Sequence, residues 1–236
     1  RSDNPLRQIL NEAQRLFCQI LPLLFVLTVI GIEASGETVV RGLFIGDDNE
    51  CFEQACALAT EVNITKGDQP VEKMVAFLDS DEFHSTWIGN KAIYRTRMAI
   101  ADGGELVVLA PGIKAVGEDP EIDRLIRKYG YRTTEQMLSL VEDEADLASN
   151  LSAAAHIMHS ASEGRFRITY CPGHLTREEV EALGFQYGAV GDYLQRYPAA
   201  ELADGWNTSK DGERFYFVGK PALGLWAHQD RLPAPI

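Results

Sequence analysis

Residues 83–112 read FHSTWIGNKAIYRTRMAIADGGELVVLAPG and join the densest group of polar side chains in the chain to its clearest strand. The segment opens with an aromatic and polar turn that ends in a flexible Gly-Asn pair. Residues 91–101 carry apolar side chains that predict a helix, and Gly103 and Gly104 are expected to end it. The apolar run 105–110, bounded by turn residues, predicts a buried strand. This order puts the polar turn at one edge of a sheet, where ligands usually bind in α/β proteins.

Helices and strands are predicted to alternate along the rest of the chain. This alternation is typical of an α/β domain, and we expect a mixed sheet flanked by helices in a single domain. The strands at 23–30 and 38–45 should form an antiparallel hairpin. The predicted helices lie at 5–19, 49–62, 121–129, 133–141, 146–160, 176–183 and 190–197, and the remaining predicted strands lie at 71–78, 165–171 and 214–218, the last of them.

Length and charge narrow the function classes. The 236 residues are enough for one large or two small domains with a substantial core. With 35 acidic and 22 basic residues the net charge is −13, which disfavours nucleic acid and anionic lipid as partners. The longest apolar run, 20–32, contains a proline and is shorter than the ~20 residues of a membrane helix, so it predicts a buried strand. We expect a cytoplasmic protein with a small-molecule or protein partner.

The four cysteines carry no recognisable metal or redox motif. No two of them have the two-residue spacing of zinc or thiol-exchange sites, and all lie in apolar or helical stretches. They are expected to be reduced thiols, as is usual in the cytoplasm. The residues are Cys18, Cys51, Cys56 and Cys171.

Lys91 is the centre of the first candidate site. It lies one helical turn from Trp87 and next to Asn90, Tyr94 and Arg95. A carboxylate or phosphate arriving there would meet cations, an amide donor and the backbone N–H groups of a helix start. Because the loop is short, these side chains should share one cleft at the end of the preceding strand. The alternative is a solvated basic helix face.

A second group of polar residues lies between Asn150 and Arg165. His156 and His159 are three residues apart on a predicted helix, and Glu163 and Arg165 follow at its end. A helical His-x-x-His pair without a placed third ligand is weak support for a metal, so we predict none. His156 is then a partly buried histidine or, with Glu163 and Arg165, a candidate substrate contact.

Several common catalytic motifs do not occur in the sequence. There is no glycine-rich phosphate loop, no GxSxG elbow and no HExxH pair. The GDDNE segment at 46–50 has too few alternating acids for a calcium loop and predicts a helix cap instead. The residue patterns alone therefore predict an anion-binding α/β domain.

The order of segments resembles a known family. Residues 4–60, with NP, NEAQRLF, LLFVLTV and GLFIGD, resemble the start of the C-terminal domain of the nickel-pincer lactate racemase family. WIGNKAIY at 87–94 is similar to that family's aromatic-x-x-x-Lys-x-x-Tyr loop, and the similarity runs to about Tyr197. The stretches at 159–185, 206–217 and 221–227 look more like a branch that acts on sugar acids, such as an aldonate epimerase.

This resemblance implies a division of roles. Lys91 would hold the substrate carboxylate, while Trp87 stands where the family commonly has a tyrosine. In the family, the nickel-pincer nucleotide and the catalytic lysine and histidines belong to an N-terminal domain that has no counterpart here. Residues 1–236 are thus expected to be the substrate-side domain, with no cofactor and no catalytic residue of their own, inactive without that partner domain.

The implied reaction is racemisation or epimerisation of a 2-hydroxy acid. It would proceed by transient hydride transfer to the cofactor and return to either face. The competing interpretation is a non-catalytic anion-binding module with a regulatory or interaction role.

Overall fold

The computed structural model describes residues 4–18, 20, 21, 23–33 and 37–232. These residues form two compact units, one built from 4–65 with 230–232 and the other from 66–229. None of the helices in the described ranges combines the length and apolarity needed to cross a lipid bilayer.

The first unit is a β-hairpin with two helices. The cap of its first helix is the Asn4 side chain, which accepts a hydrogen bond from Leu6 N, and the cap of its second is Asp48. The predicted elements and the antiparallel pairing are confirmed, and residues 34–36 of the predicted turn lie outside the described residues. The elements are α1 (Pro5–Phe17), β1 (Phe25–Ile32), β2 (Thr38–Gly46) and α2 (Asn49–Asn63).

Helix α2 covers one face of this hairpin. A Cβ at Gly42 would overlap Leu58 Cδ2, so the glycine lets the Leu58 side chain of the helix pack closely on the strand. The opposite face carries apolar side chains that remain exposed. The prediction of a buried strand within 20–32 is therefore wrong for alternate residues, because β1 has a cover on one face only.

The second unit contains a six-stranded mixed sheet in the order β7-β6-β5-β4-β9-β8. Neighbouring strands are parallel except β8, which runs antiparallel to β9. A two-stranded sheet joins β3 and β10. The predicted α/β class with a mixed sheet is confirmed. The strands are β3 (Ile64–Gly67), β4 (Val71–Phe77), β5 (Ile100–Ala110), β6 (Arg167–Pro172), β7 (Gln186–Tyr187), β8 (Gly205–Thr208), β9 (Arg214–Val218) and β10 (Leu225–His228).

Helices flank this sheet, and their starts follow local capping rules. Capping boxes begin two of them, at Thr133 with Gln136 and at Thr176 with Glu179, the second as predicted. The helix predicted at 146–160 is divided, because the Asn150 side chain caps a new helix. The helices are α3 (Thr86–Gly89), α4 (Lys91–Tyr94), α5 (Pro120–Tyr129), α6 (Thr134–Asp143), α7 (Ala145–Ala148), α8 (Leu151–His159), α9 (Arg177–Ala182) and α10 (Val190–Arg196).

The helix predicted over 91–101 is wrong beyond Tyr94. The chain turns extended instead, since Ala99 O accepts from Val71 N at 2.8 Å and β5 begins at the next residue. Gly103 (φ +80°) lies within β5, where the pairing with β4 shifts register in a bulge. The two glycines thus permit a bulge and do not end a helix.

Strand β9 is not the last strand, contrary to prediction. Residues 225–228 form β10, whose His228 N donates to Met98 O at 3.0 Å. Both Met98 and β3, the strand that pairs with β10, are distant in sequence. A strand of four residues has no local pattern strong enough to predict it.

A charge cluster closes the amino-terminal edge of the large sheet. Lys73 Nζ lies 2.6 Å from Glu105 Oε2 and 3.2 Å from Glu213 Oε1, and Thr169 donates to Glu105 at 2.5 Å. Burial alone would raise the pKa of Glu105, but Lys73, Thr169 and Arg167 lower it below its usual range. The charged members of this cluster line a cleft of about 580 Å³ in which basic and acidic side chains pair with one another.

Removing one partner of this cluster should destabilise the fold. Lys73→Met leaves Glu105 poorly solvated, since their side chains are only 19% and 13% exposed. We expect a loss of about 2–4 kcal/mol in urea denaturation. The control is Arg177→Met, which breaks a pair whose side chains are 58% and 53% exposed and should change stability by less than about 0.5 kcal/mol. Equal effects of both variants would contradict this view of the edge.

Candidate functional site

The polar turn before α3 is fixed to the carboxyl-terminal edge of the large sheet. Thr86 N donates to Ala115 O at 3.0 Å, and the Ser85 hydroxyl bonds to Glu118 in the loop after β5. Gly89 lies against the strand ends, because a Cβ there would be 2.9 Å from Tyr170 Oη and 3.0 Å from Leu78 Cδ1. The segment therefore sits where the predicted sheet topology expected a ligand site.

Helix α8 lies beside α3 and α4. The Trp87 and His156 rings have centroids 4.1 Å apart, and those of Tyr94 and His159 are 4.5 Å apart. His156 and His159 thus face the same way, as their spacing predicts. One aromatic–imidazole pair joins α3 to α8, and the other joins α4 to α8. In sequence, Trp87 precedes Lys91 and Tyr94 follows it.

Lys91 and Arg95 bring positive charge to this junction. Lys91 is half-buried, and no side chain in the described ranges forms an ion pair with it. The Arg95 guanidinium lies 5.9 Å from the Tyr94 ring centre, and its Nε is buried without a hydrogen-bond partner. Cations without acidic partners are available to an incoming anion.

The two histidines stay uncharged at neutral pH. Burial, with a smaller contribution from His159, lowers the pKa of His156 from 6.5 to about 4. Burial, followed by the nearby Arg97 and Arg95 charges, also lowers the pKa of His159. The positive charge at the site therefore comes from lysine and arginine.

Asn90 lies under the site and not on its surface. Its side chain is fully buried, and neither its amide oxygen nor its nitrogen has a hydrogen-bond partner. Burial raises the pKa of the nearby Tyr131 hydroxyl, against smaller lowering effects of the Thr86 and Asn90 side chains. The Asn90 backbone carbonyl accepts from Ile93 N and Tyr94 N, so Asn90 shapes the break between α3 and α4. Contact with substrate stays a prediction.

Glu163 and Arg165 have structural partners away from α3. Glu163 is exposed and accepts from Thr134 N and Oγ1, both at 3.1 Å, which supports the start of α6. Arg165 donates to Asp102 at 3.1 Å and to Arg97 O at 2.5 Å. Their predicted substrate contact is not tested by these bonds.

Tyr131 is the site residue that the sequence did not indicate. Its hydroxyl lies 2.8 Å from Thr86 Oγ1 and 3.4 Å from His156 Nε2, so it connects α3 with α8. The residue follows α5 directly and has no periodic or motif signal. Within the described ranges, no three His, Cys, Asp or Glu side chains group closely enough to hold a metal ion.

Two solved structures share this fold. A structural-genomics protein from Thermotoga maritima matches with a TM-score of 0.73 and 20% identity over 97% of this chain and 55% of its own. The lactate racemase apoprotein from Thermoanaerobacterium thermosaccharolyticum matches with a TM-score of 0.65 and 12% identity over 96% and 50%. No family model and no curated protein matches the sequence.

These matches show the fold alone. The chain has a lactate-racemase-like fold and spans about half the length of both solved structures. At such low identity a shared fold does not carry a substrate or a reaction with it.

The low pKa of His156 predicts how stability depends on acid. The unfolded chain binds a proton near pH 6.5, whereas folded His156 resists it until about pH 4. Stability is therefore complete above pH 6.5 and falls as the pH drops through this window. Denaturation between pH 7 and pH 4.5 should show this loss, and His156→Phe should lose less over the same range. Equal losses in both proteins would contradict the assignment.

Proposed function

We propose that the chain is the substrate-side domain of a nickel-pincer-dependent 2-hydroxy-acid racemase or epimerase, with a sugar acid as the favoured substrate. The observation that carries this proposal is Lys91, a half-buried cation without an acidic partner among the described residues. In sequence it lies between Trp87 and Tyr94, whose rings pair with those of His156 and His159, at the carboxyl ends of the parallel strands of the mixed sheet. The lactate-racemase-like fold and the WIGNKAIY segment support the same assignment.

Lys91 binds the substrate carboxylate in this proposal. Its ammonium supplies a charge-assisted hydrogen bond, and Arg95 adds long-range attraction. The flat face of Trp87, held against His156, limits where the rest of the substrate lies. Charge at this edge therefore sets the orientation of the carbon that bears the hydroxyl group.

The nickel cofactor would have to be held outside this chain. The described part of the chain offers no cluster of three side chains for a metal, and its two helical histidines stack on aromatic rings. When bound in the other half of the protein, the cofactor would supply the hydride acceptor. The residues of this chain then bind and orient the substrate.

Substitution of Lys91 distinguishes a lysine that binds the substrate from a solvent-exposed lysine without a functional role. In the full-length protein, Lys91→Ala should lower kcat/KM by about 10- to 100-fold, because one charge-assisted hydrogen bond contributes roughly 1.5–3 kcal/mol. Stability should change by less than about 0.5 kcal/mol, since no core cavity forms. Lys91→Arg keeps the charge but misplaces the carboxylate and should also be impaired.

Two outcomes would contradict this prediction. Wild-type kinetics for Lys91→Ala would remove the residue from the site. Full-length protein that contains neither nickel nor epimerase activity, yet still binds a carboxylate through Lys91, would favour the alternative of a non-catalytic anion-binding module.

The first unit has an exposed apolar surface that fits the docking of a partner domain within a longer protein. The outer face of the hairpin exposes apolar side chains, with Val26 59%, Leu43 58% and Ile45 58% accessible. Such a cluster usually marks an interaction surface, and a two-stranded hairpin needs cover to be stable. Because the matched structures are about twice as long, we propose that the cover is the cofactor-binding domain of the same protein.

A charge on that face should uncouple the two domains. Leu43→Asp in the full-length protein is expected to lower activity at least tenfold and to split thermal unfolding into two transitions, because a buried carboxylate opposes docking. The control Leu138→Asp changes an equally exposed leucine, at 55%, on α6 and should have little effect. An unchanged single transition in Leu43→Asp would contradict the docking proposal.

A further inference from the structure

A series of hydrogen bonds connects His156 on α8, through Tyr131 and Thr86, to Val116 in the loop after β5. The donor and the acceptor of each bond can be assigned. Thr86 Oγ1 donates to Val116 O at 3.0 Å, and this carbonyl can only accept. The Thr86 hydroxyl has one proton, so its oxygen accepts from the Tyr131 hydroxyl at 2.8 Å. The Tyr131 oxygen is left as the acceptor for His156 Nε2 at 3.4 Å.

This direction selects one tautomer of His156. The proton must be on Nε2, so Nδ1 keeps a lone pair. No donor in the described part of the chain reaches Nδ1, and this nitrogen is not fully buried. Stacking on Trp87 at 4.1 Å and edge contact with Tyr131 at 5.8 Å hold the ring in place. The site thus offers an oriented, solvent-accessible acceptor.

The surroundings of His156 keep it in this state. His159 lies on its own helix, Tyr131 on the connection after α5, and Trp87 on α3. The Arg97 and Arg95 charges act on His159. Burial, with a smaller contribution from His159, disfavours an imidazolium, which would have turned both nitrogens into donors.

We propose that His156 Nδ1 accepts a hydrogen bond from an uncharged hydroxyl group of the same substrate whose carboxylate Lys91 binds. The inference rests on the proposed function and deepens it. The fixed lone pair on Nδ1 favours a substrate with an O–H donor at this position. An alkyl group there would leave the lone pair without a partner, and a second carboxylate would be repelled by it. The pair of Lys91 and His156 would thereby distinguish hydroxy acids from simple fatty acids and dicarboxylates.

The tautomer can be measured without any enzyme activity. Long-range proton–nitrogen spectra of the ¹⁵N-labelled chain at pH 7 should show His156 protonated on Nε2 alone. Tyr131→Phe keeps the ring but removes the acceptor, so its spectra should show a mixture of the two neutral tautomers. Protonation of wild-type His156 on Nδ1, or on both nitrogens, would overturn the inference while leaving the role of Lys91 intact.

Selectivity is tested with lactate and propionate, which differ by one hydroxyl group. In full-length protein purified without nickel, calorimetry should show lactate binding about three- to tenfold more tightly, the range of one neutral hydrogen bond. His156→Phe should abolish this preference, and His156→Asn should restore part of it, because its amide oxygen replaces Nδ1. Lys91→Ala should weaken both acids equally.

The outcomes separate the two proposals. Equal binding of both acids by the wild type, with loss of both in Lys91→Ala, would overturn the acceptor role of His156 and retain the carboxylate site. Binding that does not depend on Lys91 would overturn the proposed function and the inference that rests on it.

Discussion

The close packing of Gly89 against three side chains at the carboxyl edge of the large sheet is the constraint on which the site depends. A Cβ at this position would meet Tyr170 Oη, Leu78 and Ile113 at 2.9, 3.0 and 3.1 Å. With hydrogen in place of that Cβ, the break between α3 and α4 packs closely on these side chains. Trp87 before the break and Tyr94 after it are then both presented to α8, where each meets a histidine ring.

The two edges of the large sheet use charge in opposite ways. At the amino edge, Lys73 pairs with Glu105 and Glu213, so basic and acidic groups neutralise one another. At the carboxyl edge, no acid in the described ranges pairs with Lys91, and the neighbouring histidines are neutral. In a chain of net charge −13, an uncompensated cation is a specific local feature and favours an anionic ligand there.

The sequence predicted well the features that depend on neighbouring residues. The caps at Asn4 and Thr176 and the strand at 71–77 follow from short patterns. It failed where distant segments decide the structure. The bulge in β5 depends on pairing with β4, and Tyr131 joins the site through contacts with residues 45 and 25 positions away.

Two polar side chains are enclosed beneath the site. The Asn90 amide and the Tyr170 hydroxyl are fully enclosed and lack hydrogen bonds in the described structure. Tyr170 lies next to Gly89 and Asn90 next to Tyr131, so the polar interior continues directly beneath the residues that position Trp87 and His156.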